Sequence, residues 1–438
     1  MLRPGRPGAP RGRRHDRRHP EESRRPSPSQ APQPPDGCTC GPRWENDAVS
    51  REIPEAPLIS NGPARSSPRR LGLLVSPDPL EVPRRQPLPP PGPVWFPSVM
   101  GTGILATTLH LSADVIGGAL RAPVAALALA DLAVAWALLL VLTLGYAARV
   151  IRDPGVLRAE IDSPFWGPVA MGLMSVGSAT ATVLPAHWPA LAGASWAVDT
   201  VFWVLGTLLG LAAEVRHVHR VREGTEPVPS FVSCLAVLAP MVSSTVGAGV
   251  VPHLAHAVGG AVLVISFLCW VVSLVMGWRI FLAAYPRTLR LAPLPLGLSA
   301  SAIIPLGIVG QSVAGIVAIA TQAAAYVSAP TARTLLVAAH GWGWVMLALG
   351  LPMIVWGLLL LARGLRRRMP YSPGWFAATF PVGTMALGGI MLGRSVDVTA
   401  VSWLGVAACA LLLGTVVLGL SGAVVHLVGD ARAGRTVR

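Results

Sequence analysis

FPVGTMALGG, residues 380–389, places a proline at the second position of an apolar segment and follows it with glycines and other small residues. The same design occurs four times upstream: FPSVMGTG at 96–103, GPVAMGLMSVG at 167–177, APMVSSTVGAG at 239–249 and IPLGIVGQSVAG at 304–315. The prolines are Pro97, Pro168, Pro240, Pro305 and Pro381, spaced by roughly 70 residues, which is the mark of an internal repeat. A proline inside a helix removes one backbone hydrogen bond and kinks it. Pro97 and Pro168 fall near the expected helix starts, where proline is tolerated, so Pro240, Pro305 and Pro381 are the expected kinks. Five such segments predict a ring of similar, broken helices around something polar.

Outward from these segments, the chain is apolar on the scale of a bilayer. Hydrophobic residues make up 52% of it and charged residues only 13%. From Val94 onward, apolar runs long enough to span a hydrocarbon core follow one another. Backbone groups in lipid must be satisfied within the segment, so these runs are helices. Ten are expected, at about 94–118, 124–149, 165–184, 190–215, 231–251, 255–283, 296–320, 335–361, 374–392 and 400–427. The proline-bearing odd spans are rich in Gly, Ser and Thr, and the even ones in Leu, Val and Ala. Small residues permit close backbone approach, so the odd spans form an inner ring and the even ones face lipid. The expected fold class is therefore an all-α integral membrane protein of ten transmembrane helices, arranged as five helical hairpins around a central pore.

Charge fixes an expected topology. The chain has 35 basic side chains, all of them arginine. Sixteen lie in residues 1–93 against ten acids, and the remainder gather at the ends of the even spans, as in RVIRD (149–153), RHVHRVRE (216–223) and RGLRRR (363–368). The opposite connections hold only Arg121, Arg333 and Arg394. The positive-inside bias puts the arginine-rich ends and both termini in the cytoplasm, with the chain multi-pass in the plasma membrane. The positive charge then reflects membrane topology, and nucleic acid is not an expected partner. Residues 1–93, rich in Pro, Arg, Ser and Gly, read as a disordered cytoplasmic tail, 94–428 as the membrane domain, and 429–438 as a short basic cytoplasmic end. The arginine clusters would be drawn to anionic membrane lipid. Cys38 and Cys40 form a lone C-x-C, a weak metal signal with no second ligand pair, so no metal and no cofactor are expected.

The inner spans are nearly free of charge, with His110 and Asp114 toward one end as their only ionisable groups. No carboxylate ring or carbonyl filter of the cation-channel type is present. Hydroxyls, Gln311 and backbone exposed beside broken helices suit an anion better than a cation. The candidate lining positions are Gly101, Gly103, Ser243, Ser244, Gly307, Gln311 and Thr384, with Thr102, Ser175, Ser178 and Ser312 as further hydroxyls. Phe380 precedes a kink proline, and a bulky ring in a narrow neutral pore blocks ions sterically and by dewetting; Phe96 holds the same pre-proline place. Asp131, Asp199 and His340 are ionisable groups within even spans, read either as proton-coupling groups or as polar anchors to neighbouring backbone. Glu214 reads as a surface pair with Arg216 and His217. No HExxH, GxSxG or P-loop is present, so an enzyme is not expected.

WFPSVMGTGI (95–104), PLGIVGQ (305–311) and GWFAATFPVGTMAL (374–387) carry a resemblance. Over about 94–428 the chain resembles the tellurite-resistance/dicarboxylate transporter family, which includes fungal malate permeases, sulfite exporters and the plant guard-cell slow anion channels. The resemblance implies five helical hairpins around a pore, a homotrimer with one pore per subunit, and transport of small inorganic or organic anions by channels or proton-linked carriers. It also implies a phenylalanine gate in the ninth span, which falls on Phe380.

Overall fold

The computed structural model describes residues 88–225, 229–290 and 294–436; most of the expected tail, with Cys38 and Cys40, lies outside them. The described residues form helices only: α1 (Phe96–Ile116), α2 (Arg121–Arg152), α3 (Gly155–Glu160), α4 (Trp166–His187), α5 (Ala192–Arg222), α6 (Cys234–Val237), α7 (Ala239–Val250), α8 (His256–Arg290), α9 (Leu306–Ala323), α10 (Ala329–Arg366), α11 (Thr379–Ser395) and α12 (Thr399–Thr436). Among the described residues nine helical segments are long and apolar enough to cross a membrane, and α6 with α7, bent by 42°, makes ten when counted as one span. The even crossings run past their apolar stretches, because arginines in their last turns (Arg149 and Arg152, Arg220 and Arg222, Arg363 and Arg366) reach water while the helix continues. Cations there also complement the helix dipole.

Burial separates the two classes of helix. The central stretches of the crossings that hold α1, α4, α9 and α11 are 61–94% buried, against 22–39% for α2, α5, α8, α10 and α12. In α7, ten of the twelve residues are buried. The outer helices spread Leu140, Val141, Leu144, Val204, Leu208, Leu268 and Leu359 over an exposed apolar surface, as lipid contact requires.

Packing closes the ring. Each inner helix pairs with its hairpin partner: α1 with α2, α4 with α5, α7 with α8, α9 with α10, α11 with α12. The inner helices also touch in order, α1 to α4 to α7 to α9 to α11, and α11 returns to α1. Each outer helix leans on the inner helix of the next hairpin as well, and at each of these five seams a polar bond fastens it. Trp136 Nε1 donates to Thr180 Oγ1 at 2.9 Å, Trp203 Nε1 to the Ser243 carbonyl at 3.0 Å, and Trp270 Nε1 to the Ser312 carbonyl at 2.9 Å. His340 Nε2 meets Ser395 Oγ at 2.7 Å, and Cys409 Sγ donates to Thr108 Oγ1 at 3.5 Å. These five anchors stand 67 to 70 residues apart, so they occupy one position of the repeat. His340, an ionisable group in the sequence reading, therefore serves as a seam.

All five prolines sit at the starts of α-helical segments: Pro240 directly follows the 42° bend between α6 and α7, as the kink expectation has it, whereas Pro305 and Pro381 stand where a 3₁₀ stretch gives way to α-helix. Pro97 and Pro240 lie in the first turns of α1 and α7, and Pro168 and Pro381 are the third residues of α4 and α11. Pro305 is the N-cap of α9. Before α9 and α11 the chain runs as 3₁₀ helix over Leu296–Ile303 and Pro373–Ala378. The freed donors are largely satisfied by the tighter pattern: Gly307 N donates to Ile304 O at 2.9 Å, Ile308 N to Pro305 O at 3.1 Å, and Met241 N to Leu238 O at 3.1 Å. At these breaks the N–H groups of Met241, Gly307 and Ile308 are therefore bonded to preceding carbonyls.

Candidate functional site

One small cavity, about 30 Å³, receives side chains from every inner helix. Ile104 and Thr107 come from α1, Ser175 and Ser178 from α4, Val242, Thr245 and Val246 from α7, Gln311 from α9, and Phe380 and Leu387 from α11. A cavity to which all five members of a closed ring contribute lies on the ring's axis. Its volume admits about one or two water molecules, so the axis is occluded at this level.

Among the described residues no Asp, Glu, Arg or His lines the cavity; its polar groups are the four hydroxyls of Thr107, Ser175, Ser178 and Thr245 and the amide of Gln311. Gln311 Nε2 donates to Thr245 Oγ1 at 2.8 Å, while Gln311 Oε1 is buried with no hydrogen-bond partner. Thr107 Oγ1 makes only a long bond to the Gly103 carbonyl, 3.4 Å. The site is thus a neutral constriction with donor and acceptor capacity to spare. Phe380 is fully buried beside it, on the second residue of α11, where the 3₁₀ lead-in ends.

Of the residues singled out from sequence, Gln311, Phe380, Ser175 and Ser178 reach this cavity. The others face neighbouring helices. A side chain at Gly101 would collide with Thr379, and one at Gly103 with Ser175 and the Val176 backbone. Gly307 faces the Leu238 side chain. Ser243 turns outward, its hydroxyl 2.6 Å from Thr207 Oγ1 on α5. Ser244 donates to Met241 O at 2.6 Å, and Thr384 hydrogen bonds to Pro381 O at 2.7 Å and Leu306 O at 3.2 Å. Phe96 packs with Val99, Ala135, Leu139, Leu142 and Val176 between α1, α2 and α4, away from the cavity. Both helices follow a 3₁₀ turn, Pro93–Trp95 before α1 and Pro373–Ala378 before α11, but Phe96 is the first residue of its helix and Phe380 the second. Thr107 and Thr245 line the cavity and were missed; the one clue was Thr245 beside the Ser243–Ser244 pair.

The ionisable groups lie off the axis. Asp131 and Asp199 are buried between helices, each with one carboxylate oxygen lacking a hydrogen-bond partner, and Asp199 Oδ1 faces Gly177 of α4. Glu214 is buried, and neither carboxylate oxygen has a partner, so it is not the surface pair expected from its arginine and histidine neighbours. At the end of the ring away from the arginine-rich face, Asp114 of α1 meets Arg121 at 3.0 Å and Arg394 of α11 at 3.5 Å. Arg394 also donates to the Leu111 carbonyl at 2.8 Å.

All five inner helices begin at the arginine-rich end, so their dipoles run parallel. Each contributes roughly half a positive charge at that end. The carbonyl-bearing ends meet at the other mouth, where Arg394 and Arg121 offset them. An anion therefore meets positive helix ends at the arginine-rich mouth and a neutral, hydroxyl-lined neck beyond it.

The family described as voltage-dependent anion channel matches the chain over residues 92–424. No curated protein matches it.

Proposed function

The chain belongs to the voltage-dependent anion channel family, and from that premise we propose that it passes small oxyanions or C4-dicarboxylates, of the tellurite, sulfite and malate class, along the axis of its inner ring, with Phe380 as the plug. As a member it is a multi-pass membrane protein and an anion channel or transporter. The observation that carries the finer reading is the axial cavity: every inner helix contributes to it, and no charged side chain lines it. With no fixed charge to bind against, discrimination rests on size and dehydration. Thr107, Ser175, Ser178, Thr245 and Gln311 supply the hydrogen bonds that replace water around a passing anion, and the helix N-termini at the arginine-rich mouth supply the attraction.

The resemblance extends this reading to a homotrimer of the plasma membrane with a pore in each subunit. The arginine distribution supports both termini in the cytoplasm, with residues 1–93 a tail, 94–428 the transport domain and 429–438 a basic end. A second reading, a proton-coupled dicarboxylate or sulfite exporter, is favoured by Asp131 and Asp199, buried carboxyls with an unpartnered oxygen each. Reconstituted vesicles decide between them, using chloride, nitrate, sulfite, malate and tellurite. Flux that persists when the pH gradient is collapsed at matched voltage supports the channel; flux that stops supports the coupled exporter. Absence of flux for every anion contradicts both.

A further inference from the structure

The arginine-rich end carries a second concave feature, away from the axis. A slot of about 250 Å³ runs between α3 with the start of α4 on one side and the last turns of α5 on the other. Leu157, Ile161, Pro164, Trp166, Leu209 and Ala213 make it apolar, and it ends at Arg216 and Arg220. A polar hollow of about 630 Å³ continues from it, since Asp162, Arg216 and Arg220 line both. Trp166 donates its indole N–H to Glu160 O at 2.9 Å and stacks edge-on against Tyr146, the arrangement of an interfacial aromatic belt. Leu157 and Ile161 are exposed beside Arg158 on a surface that also meets water.

Asp162 sets the two guanidiniums side by side. Its carboxylate pairs with Arg216, whose Nε donates to Oδ1 at 3.0 Å, and its carbonyl accepts from Arg220 Nη1 at 2.6 Å. The two guanidiniums, Arg216 held by the Asp162 carboxylate and Arg220 by the Asp162 and Thr225 carbonyls, put positive charge at the mouth of an apolar slot, a pairing that suits a phosphodiester joined to an acyl chain. Asp162 and Glu223, the latter 3.1 Å from His219, balance the two arginines, so the hollow holds a free inorganic anion weakly. The apolar slot supplies what the charges lack.

We propose that this slot is a glycerophospholipid site, with one acyl chain against Leu209 and Ala213 and the phosphodiester on Arg216 and Arg220. Native mass spectrometry of the full-length protein, with phosphatidylglycerol, diacylglycerol or inorganic phosphate added, tests it. Roughly one phosphatidylglycerol per chain is expected to stay bound, and neither diacylglycerol nor inorganic phosphate. Arg216→Gln combined with Arg220→Gln should cut retention by about tenfold or more, as loss of charge-assisted pairs requires. Ala213→Trp, which fills the slot and leaves the arginines intact, should do the same. Retention undiminished from the unmodified protein in either variant, or diacylglycerol held as well as the phospholipid, would overturn the proposal. So would an Ala213→Trp protein that changes subunit number while keeping its lipid, which would make the slot a contact between copies.

Discussion

Gln311 is the one amide on the axis, tied by its nitrogen to Thr245 with its oxygen unpartnered. The account gives it the task of replacing water around an anion, so charge there matters more than shape. Gln311→Glu places a fixed negative charge beside the path. At 4 Å and an effective permittivity near 20 the repulsion is about 4 kcal/mol, on the order of a thousandfold in anion occupancy. Anion flux should collapse at pH 7 while the folded protein is recovered in normal yield; unchanged flux would remove Gln311 from the path. Gln311 and Phe380 were legible in the sequence because an amide and a bulky ring stand out among glycines and alanines. Ser243, Ser244 and Thr384 stood out for the same chemical reason, yet they face other helices. Helical phase is normally read from an apolar stripe. In α11, 14 of 17 residues are buried, so no stripe exists and the sequence carries no phase.

At the scale of elements, the structure depends on the seam between each outer helix and the inner helix of the next hairpin. Trp136, Trp203, Trp270, His340 and Cys409 recur at one repeat position, a periodicity visible in the sequence only once the contact is known. Two of the five are not tryptophan, which hid the pattern. Trp203→Phe keeps the packing and removes the N–H that bonds the Ser243 carbonyl. It should cost about 1 kcal/mol, the net worth of a typical buried hydrogen bond. In a thermal melt of the detergent-solubilised protein, this corresponds to a fall of about 1–2 °C, because the shift per kcal/mol shrinks as the domain grows. A larger loss would assign the residue a packing role, and no loss would leave the seam without energetic content. The prolines illustrate the limit of local reading. They were recognisable as breaks, but whether a break is an interior kink or a 3₁₀-to-α changeover depends on which carbonyls the preceding turn can reach. That is settled by packing against neighbouring helices.

On the scale of the whole molecule, helix count and inner–outer sorting were legible because lipid imposes length, and ring burial imposes small residues. Closure of α11 onto α1 followed from the five-fold repeat, which predicts a ring, although no local signal encodes a contact between the two ends of the domain. Orientation in the membrane is a separate claim. With Cys38 and Cys40 replaced by serine, and Cys234, Cys269 and Cys409 buried, single cysteines report sidedness. On intact cells an impermeant maleimide should label Ala119→Cys and spare Arg152→Cys; the reverse pattern would invert the assigned topology. The central claim is that anions travel along the axis and that Phe380 stops them. Planar-bilayer recordings of the unmodified protein, Phe380→Ala and Phe96→Ala address it directly. The account predicts an anion-selective current that rises at least about tenfold in Phe380→Ala, as removal of a steric and dewetting barrier implies, and stays at the unmodified level in Phe96→Ala. A current that does not rise in Phe380→Ala, or that rises as much in Phe96→Ala, would contradict it.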